Sequence, residues 1–343
     1  MPTVPSDIFA AERRRMKSMS RTVSSALVLA TLLAMPMREA VGANLTGAFD
    51  AVPSGMTMDN GMSFSGAGYS ISRGFNSDTV TLTAPQAIIT WTASTGAQGA
   101  NGGSGTIDIM PSGGTATFQG SSEFTVLNRL MPGADMTRGV SLNGHVVSQV
   151  NGASGGNVWF YSPGGILIGS SANFDVGGML LTAADISPSG IDLDGNGDVV
   201  GIHTGVAAAG TTVQVDSGAS INTSDYFGIL APRIVQSGTV NADGSVAYIA
   251  ASQVDLASET DLFSISIPTG MGTDVADALT HSGTTRAHVD GTGNAGISHA
   301  IYAVAVPKNT AITMLLGGTM EFQVANGAQI TNQGIVLSAG RNT

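Results

Sequence analysis

The chain has no cysteine, and only 11% of its residues are charged and 5% aromatic. Without thiols there can be no disulfide, no thiolate chemistry and no Cys-ligated metal, so stability must come from packing. Basic residues are scarcer still once the start is set aside. Residues 1–43 hold six of the 13 Lys/Arg and three of the 24 Asp/Glu, which leaves seven bases against 21 acids and a net charge of −14. Such a remainder, with Lys308 as its single lysine, offers no basic surface for phosphates, which excludes nucleic acid as a partner and disfavours adhesion to an anionic membrane. No run beyond residue 43 is apolar for long enough to span a bilayer.

What is present is glycine, 47 of 343 residues, with 42% hydrophobic residues and many Ser, Thr, Asn, Ala and Val. The glycines keep no three-residue period, so collagen is excluded, and the apolar residues recur in short ordered runs, which argues against disorder. Short strands joined by tight turns are the expectation.

The first 43 residues read as an export address. Arg13, Arg14, Arg15, Lys17 and Arg21 precede the apolar run 22–37 (TVSSALVLATLLAMPM), and the small residues Val41-Gly42-Ala43 follow. Basic region, apolar region and small-residue site in that order predict a secretory signal peptide, residues 1–43, cleaved after Ala43. A membrane anchor would not be so short, nor contain four hydroxyl residues and Pro36.

Beyond it a pattern recurs: a turn of small residues, an apolar residue two positions on, then an apolar run ending in Ala. It occurs at 171–183 (SANFDVGGMLLTA), 218–231 (GASINTSDYFGILA), 237–250 (SGTVNADGSVAYIA) and 327–339 (GAQITNQGIVLSA). Ala219 and Thr239 are 20 residues apart, a solenoid-like period, and the wider spacing of the other copies calls for extra strands between them. Each unit reads as a pair of strands too short to bury its own apolar side chains, so the units must stack. Ile221, Ile229, Val240, Val246, Ile330 and Val336 are the inward-stacking candidates. The expected fold is all-β, a right-handed parallel β-helix with hairpin or extra-strand insertions. A β-sandwich would also give turns every 8–12 residues. One helix is possible, over 274–279, within an irregular insertion at about 258–300.

The densest information lies at 124–186: FTVLNRLMPG, VSLNGHV, then GGNVWFYSPGGILIGSSANFDVGGMLLTAADI. These residues resemble the N-terminal secretion domain, or haemagglutination activity domain, of filamentous haemagglutinin-like exoproteins, in a form met in alphaproteobacteria. The matching parts are Asn128-Arg129 after an apolar strand, Ser141 to Gly144, the strand opened by Asn157, and the turn Ser162-Pro163-Gly164-Gly165-Ile166. The usual turn is Asn-Pro-Asn-Gly-Ile, and here both asparagines are replaced. The resemblance implies a secretion domain over 44–186, with further rungs over 187–343. It also implies Sec-dependent export and passage through an outer-membrane β-barrel transporter. The product would lie at the cell surface or in the medium, adhesin-like, with a glycan or protein receptor and no cofactor.

Motifs that could carry chemistry are few. Gly152 to Gly156 matches G-x-S-x-G and Gly291 to Gly296 matches G-x-G-x-x-G, yet strand-like residues follow both where those folds need a helix. Asp192 to Asp198 (DLDGNGD) resembles half an EF-hand loop, but His203 holds the twelfth place, where a bidentate carboxylate belongs, so a solvated hairpin tip is the simpler reading. The five histidines lack metal-ligand spacing, and His281, His288, Asp277, Arg286 and Asp290 form the nearest approach to a polar cluster. Trp159, Phe160 and Tyr161 are assigned to the core and a wall of the solenoid. The competing function is a β-helical carbohydrate-active enzyme, a polysaccharide lyase or hydrolase, which would require clustered carboxylates and, for a lyase, an Arg or Lys base.

Overall fold

The computed structural model describes residues 47–49, 63–93, 106–194, 199–259, 262–289, 299–309, 311–324 and 334–338. The export address, Ile330 and the glycine motif at 291–296 lie outside them. Among the described residues every regular element is a strand, and parallel pairing dominates.

The chain winds through three sheets in a repeating order. A first circuit lays down β3 (Ser77–Leu82) and β4 (Gln86–Thr92), and seven three-strand turns follow. These are β5 (Ile107–Met110), β6 (Thr115–Gly120) and β7 (Thr125–Met131), then β8 (Val140–Leu142), β9 (His145–Val150) and β11 (Asn157–Tyr161). Next come β12 (Ile166–Ile168), β13 (Asn173–Val176) and β14 (Met179–Thr182), then β17 (Thr212–Val215), β18 (Ser220–Thr223) and β19 (Phe227–Ala231). The last three turns are β20 (Arg233–Gln236), β21 (Thr239–Ala242) and β22 (Val246–Ala250); β25 (Leu279–His281), β26 (Thr284–Val289) and β27 (Ala300–Ala305); and β28 (Met314–Leu316), β29 (Thr319–Val324) and β30 (Gly334–Ser338). In each turn the third-named strand joins sheet one, the second sheet two and the first the seven-stranded sheet three. This is a parallel β-helix, as the repeats predict.

The true period is read from the pairing. Ser220 lies beside Thr239 and Phe227 beside Val246, one residue tighter than the spacing of Ala219 and Thr239. Each turn has three strands rather than the expected pair, because the strand of sheet three is only three or four residues long and its sequences, such as RIVQ, are too brief to signal a strand. Ile221, Ile229, Val240 and Val246 point inward with no exposed surface, each contributing about 1.5–3 kcal/mol. Val336, also assigned inward, is 40% exposed in the last turn.

Two insertions leave the solenoid. β15 (Ile186–Leu193) and β16 (Val199–Thr204) follow β14, and β23 (Asp255–Glu259) and β24 (Leu262–Ser266) follow β22. They meet as one antiparallel sheet in the order β15-β16-β23-β24. This sheet roofs the outer face of sheet one. A second apolar cluster, including Trp159, Leu180, Leu230, Ile249, Ile202 and Leu256, fills the space between. That is why β14, β19 and β22 are buried at every position whereas β17, β18, β20 and β21 alternate. Phe160 faces the solenoid interior while Trp159 and Tyr161 face the roof.

Within 258–300, β25 and β26 take ordinary places in sheets three and two, and no helix forms over 274–279. Ala278 and Leu279 are drawn into the interior with no exposed surface, and that burial outweighs the weak helical preference.

The N-terminal end is closed by antiparallel strands, β1 (Ser63–Ala67) on β4 and β2 (Tyr69–Gly74) on β3. Phe49 plugs the interior, its ring centroid 4.3 Å from that of Trp91. The buried Asp78 carboxylate holds this plug. Its Oδ2 accepts the backbone N–H groups of Ala48 at 2.8 Å and Phe49 at 2.9 Å, and its Oδ1 accepts Arg73 Nε at 2.8 Å.

Candidate functional site

The segment 124–186 builds consecutive turns of the solenoid: β7, β11 and β14 stack in sheet one, β9 and β13 in sheet two, and β8 and β12 in sheet three. Its turn 162–166 is the corner between β11 of sheet one and β12 of sheet three. Gly165 N–H bonds back to Ser162 O at 3.1 Å, closing a tight turn with Pro163 at its second position. Ser162 N–H joins Thr182 O of the next turn at 3.2 Å, and Gly165 O accepts Val140 N–H of the previous one at 3.0 Å.

The two glycines are there because backbone passes on both sides. A Cβ on Gly164 would lie 1.9 Å from Arg138 O, and one on Gly165, whose φ is +96°, would lie 2.3 Å from Thr212 O. Ile166 then enters the interior, paired with Val140 and Val213. Ser162 Oγ is fully buried and has no hydrogen-bond partner. Outside the corner lies an open groove of about 370 Å³, lined by Asp135, Thr137, Arg138, Gly164, Gly165 and Gln214 among others. Thr137 donates to Asp135 from both its hydroxyl and its N–H, which holds that carboxyl below its usual range.

The remaining motif residues do not converge on this groove. Asn128 points inward, accepting Trp91 Nε1–H at 3.0 Å and donating Nδ2–H to Trp159 O at 3.2 Å. Arg129, its neighbour, points outward beneath the roof, where Nη2 donates to Ile186 O at 2.9 Å and Nε stands 3.0 Å from Asp185 Oδ1. Burial, and secondarily the Asp185 charge, push the nearby Tyr161 phenol up to about 12. Asn157 donates Nδ2–H to Thr125 Oγ1 at 3.0 Å, and its Oδ1 leaves no room for a Cβ on Gly178. Each therefore ties one turn of the solenoid, or its roof, to another.

Other sequence motifs fall apart in space. Gly152 is the exposed tip of a hairpin in which β10 (Ala153–Ser154) folds back on β9, and Ser154 Oγ–H donates to Ser224 Oγ at 3.4 Å. The cluster around His281 disperses: Asp277 is paired with Arg233, Arg286 with Glu321, and His281 is inside the solenoid. The side chain of His288 and Asp290 lie outside the described residues. Of 192–198, residues 195–198 lie outside them as well.

Asp192 nevertheless takes part in an arrangement that sequence reasoning missed. His203 on β16 places Nε2 3.0 Å from Asp192 Oδ2 of β15 and Nδ1 3.0 Å from Asp255 Oδ1 of β23. Hydrogen bonds donated to Asp255 and, next, to Asp192 raise this imidazole's pKa. Both carboxylates are satisfied at once only by the imidazolium, which thus joins the two insertions across their seam. Among the described residues no group of three or more His, Asp or Glu side chains is placed to hold a metal ion. Nor is any helix long and apolar enough to cross a membrane.

No family model matches the chain, and no curated protein matches it. Among solved structures, the chain is similar to the crystal structure of the HMW1 secretion domain from Haemophilus influenzae, at 13% identity over 82% of this chain and 75% of that one, with a TM-score of 0.46.

Proposed function

We propose that this is an exported exoprotein of the two-partner-secretion type, whose segment 44–186 is read by an outer-membrane β-barrel transporter and whose later turns extend an adhesive surface. The observation that carries the reading is the run of family-like motifs at 124–186, which occupies consecutive solenoid turns around one glycine-built corner. The replaced asparagines leave the corner's geometry intact, since Pro163 and the two glycines still close it. The absence of cysteine suits a chain that must pass a pore unfolded.

The adhesive part of the proposal is supported by sheet two, whose outer face no second sheet of the described residues covers. Paired positions stack there in two columns: Ser77, Thr115, His145, Asn173, Ser220 and Thr239, beside Thr79, Thr117, Val147, Asp175, Asn222 and Asn241. Such a broad polar face suits a glycan or protein receptor better than a small molecule.

The test is release of the full chain into the medium with and without a co-expressed outer-membrane transporter encoded beside it. Release that depends on the transporter supports the proposal, and equal release without it refutes it. Cleavage of an acidic polysaccharide by the purified protein would instead favour the carbohydrate-active enzyme.

A further inference from the structure

The solenoid interior is aliphatic and aromatic along most of its length, but four polar side chains meet inside its C-terminal half. Gln236 on β20 and Tyr248 on β22 belong to one turn, His281 on β25 and Thr285 on β26 to the next, and all are buried. Gln236 is paired with His281 across the turns. A third turn joins through Gly317, whose carbonyl lies 2.7 Å from His281 Nδ1 and whose N–H bonds His281 O at 2.7 Å.

The direction of every bond follows from the partners. A carbonyl only accepts, so Nδ1 carries a hydrogen. His281 Nε2 is 2.8 Å from Thr285 Oγ1, which is itself 2.6 Å from Tyr248 OH. With a neutral imidazole the chain runs one way: Tyr248 donates to Thr285, Thr285 to Nε2, and Nδ1–H to Gly317 O. The chain spans three successive turns, and its Tyr248–Thr285 link brackets the long excursion of β23 and β24.

We propose that His281 is an acid-operated latch: a proton taken up at Nε2 breaks this chain and releases the last two turns, β25 to β30, from the rest of the solenoid. Protonation turns Nε2 into a donor facing a hydroxyl that already donates toward it, so Thr285 must reverse and one of two hydrogens loses its acceptor. It also places a charge where, among the described residues, no carboxylate meets the ring. The groups facing the ring are Tyr248 from β22, Gln236 from β20, Thr285 from β26 and the Gly317 carbonyl. Of these only the tyrosine titrates, and burial keeps it protonated. The charged groups of the same region, Arg233 with Asp277 and Arg286 with Glu321, are paired with each other on the outer surface.

Burial lowers the imidazole's pKa, so the neutral form is favoured in the folded state. The latch therefore contributes fully above about pH 6.5, the value in the unfolded chain, and is lost as pH falls toward the lower folded value. Within that window each pH unit should open the last turns about tenfold more often.

The experiment is hydrogen exchange on the full chain at pH 7.5 and pH 5, corrected for the intrinsic rate. Protection should fall several-fold in residues 279–289 and 311–324 and hold in 140–182. Equal loss in both regions, or none, overturns the latch. His281→Gln can donate to Gly317 and accept from Thr285 without titrating, so it should fold and lose the difference between the two regions. If this variant keeps the wild-type pH response, His281 is not the latch. Should it not fold, proton NMR titration of His281 in the wild-type chain decides: a midpoint below that of an unstructured histidine supports the proposal, and one at or above it overturns it.

Discussion

Trp91 donates its indole N–H to Asn128 Oδ1 at 3.0 Å inside the solenoid, and Asn128 passes the connection on to the Trp159 carbonyl one turn further. A buried polar link in an apolar stack fixes which turn lies against which. It does so across β4 and β7, where residues 94–105, outside the described set, intervene. Replacing Asn128 by Leu keeps the volume but strands the indole N–H, at a cost of about 1–3 kcal/mol. A urea unfolding curve followed by tryptophan fluorescence should show the midpoint drop, whereas an unchanged midpoint would mean that the link is not stabilising.

Gly165→Ala should be far more damaging than Gly210→Ala. Both have positive φ, +96° and +75°, so both pay the left-handed backbone cost of about 1–2 kcal/mol. Only at Gly165 does the new Cβ also strike a backbone oxygen, Thr212 O at 2.3 Å, while nothing lies within 4 Å at Gly210. Thermal melts of the two variants side by side check this. An alanine scan of 162–165 would accordingly report folding before it reported any recognition by a transporter.

The His203 seam should respond to alkali. Its pKa is raised in the folded state, so its contribution is fully present below about 6.5 and fades as pH rises through the higher folded value. Its side chain is 55% exposed, which limits the effect to about 0.2–1 kcal/mol. Hydrogen exchange in 199–204 and 254–259 should quicken a few-fold above this range in the wild type, and Asp255→Asn should reduce that response.

Asp78→Ala should unseat the N-terminal plug. It removes the acceptor of two backbone N–H groups and of the Arg73 guanidinium together, each charge-assisted bond being worth about 1.5–3 kcal/mol. Limited proteolysis should then cut near residues 47–49 at times when the wild type is intact. Asp78→Asn, which keeps an acceptor, should fall between.

Much of the solenoid was legible because its rule is short: Ile221, Val240 and their neighbours recur after small-residue turns, and the pairing places them in columns. The strands of sheet three were not, since three or four residues such as VSL or RIVQ carry too little pattern. The roof left a signal that went unread. MLLT, FGILA and VAYIA are apolar at consecutive positions, and a strand whose outer face meets water has no reason to be. The corner at 162–166 was recognisable from its proline and glycines, but the need for both glycines depends on Arg138 and Thr212, whose proximity only the fold reveals. His203 and His281 looked alike as isolated histidines. One lies between two carboxylates on the surface and the other inside the solenoid, and that difference is made by strands distant in sequence.

The roof has a consequence for the order of assembly. Its halves are β15–β16 and β23–β24, and two complete turns of solenoid are made between them. When the first hairpin has formed it is a two-stranded ribbon, marginal by itself, resting on a strip of sheet one that includes Trp159 and Leu180. It gains its neighbour only when Gly201, Ile202 and His203 meet Ala257, Leu256 and Asp255. A chain that winds from its N-terminal end thus carries an apolar strip half covered until two further turns are in place. Arrest between residues 204 and 254 would leave that strip open to whatever chaperone or neighbouring chain arrives first.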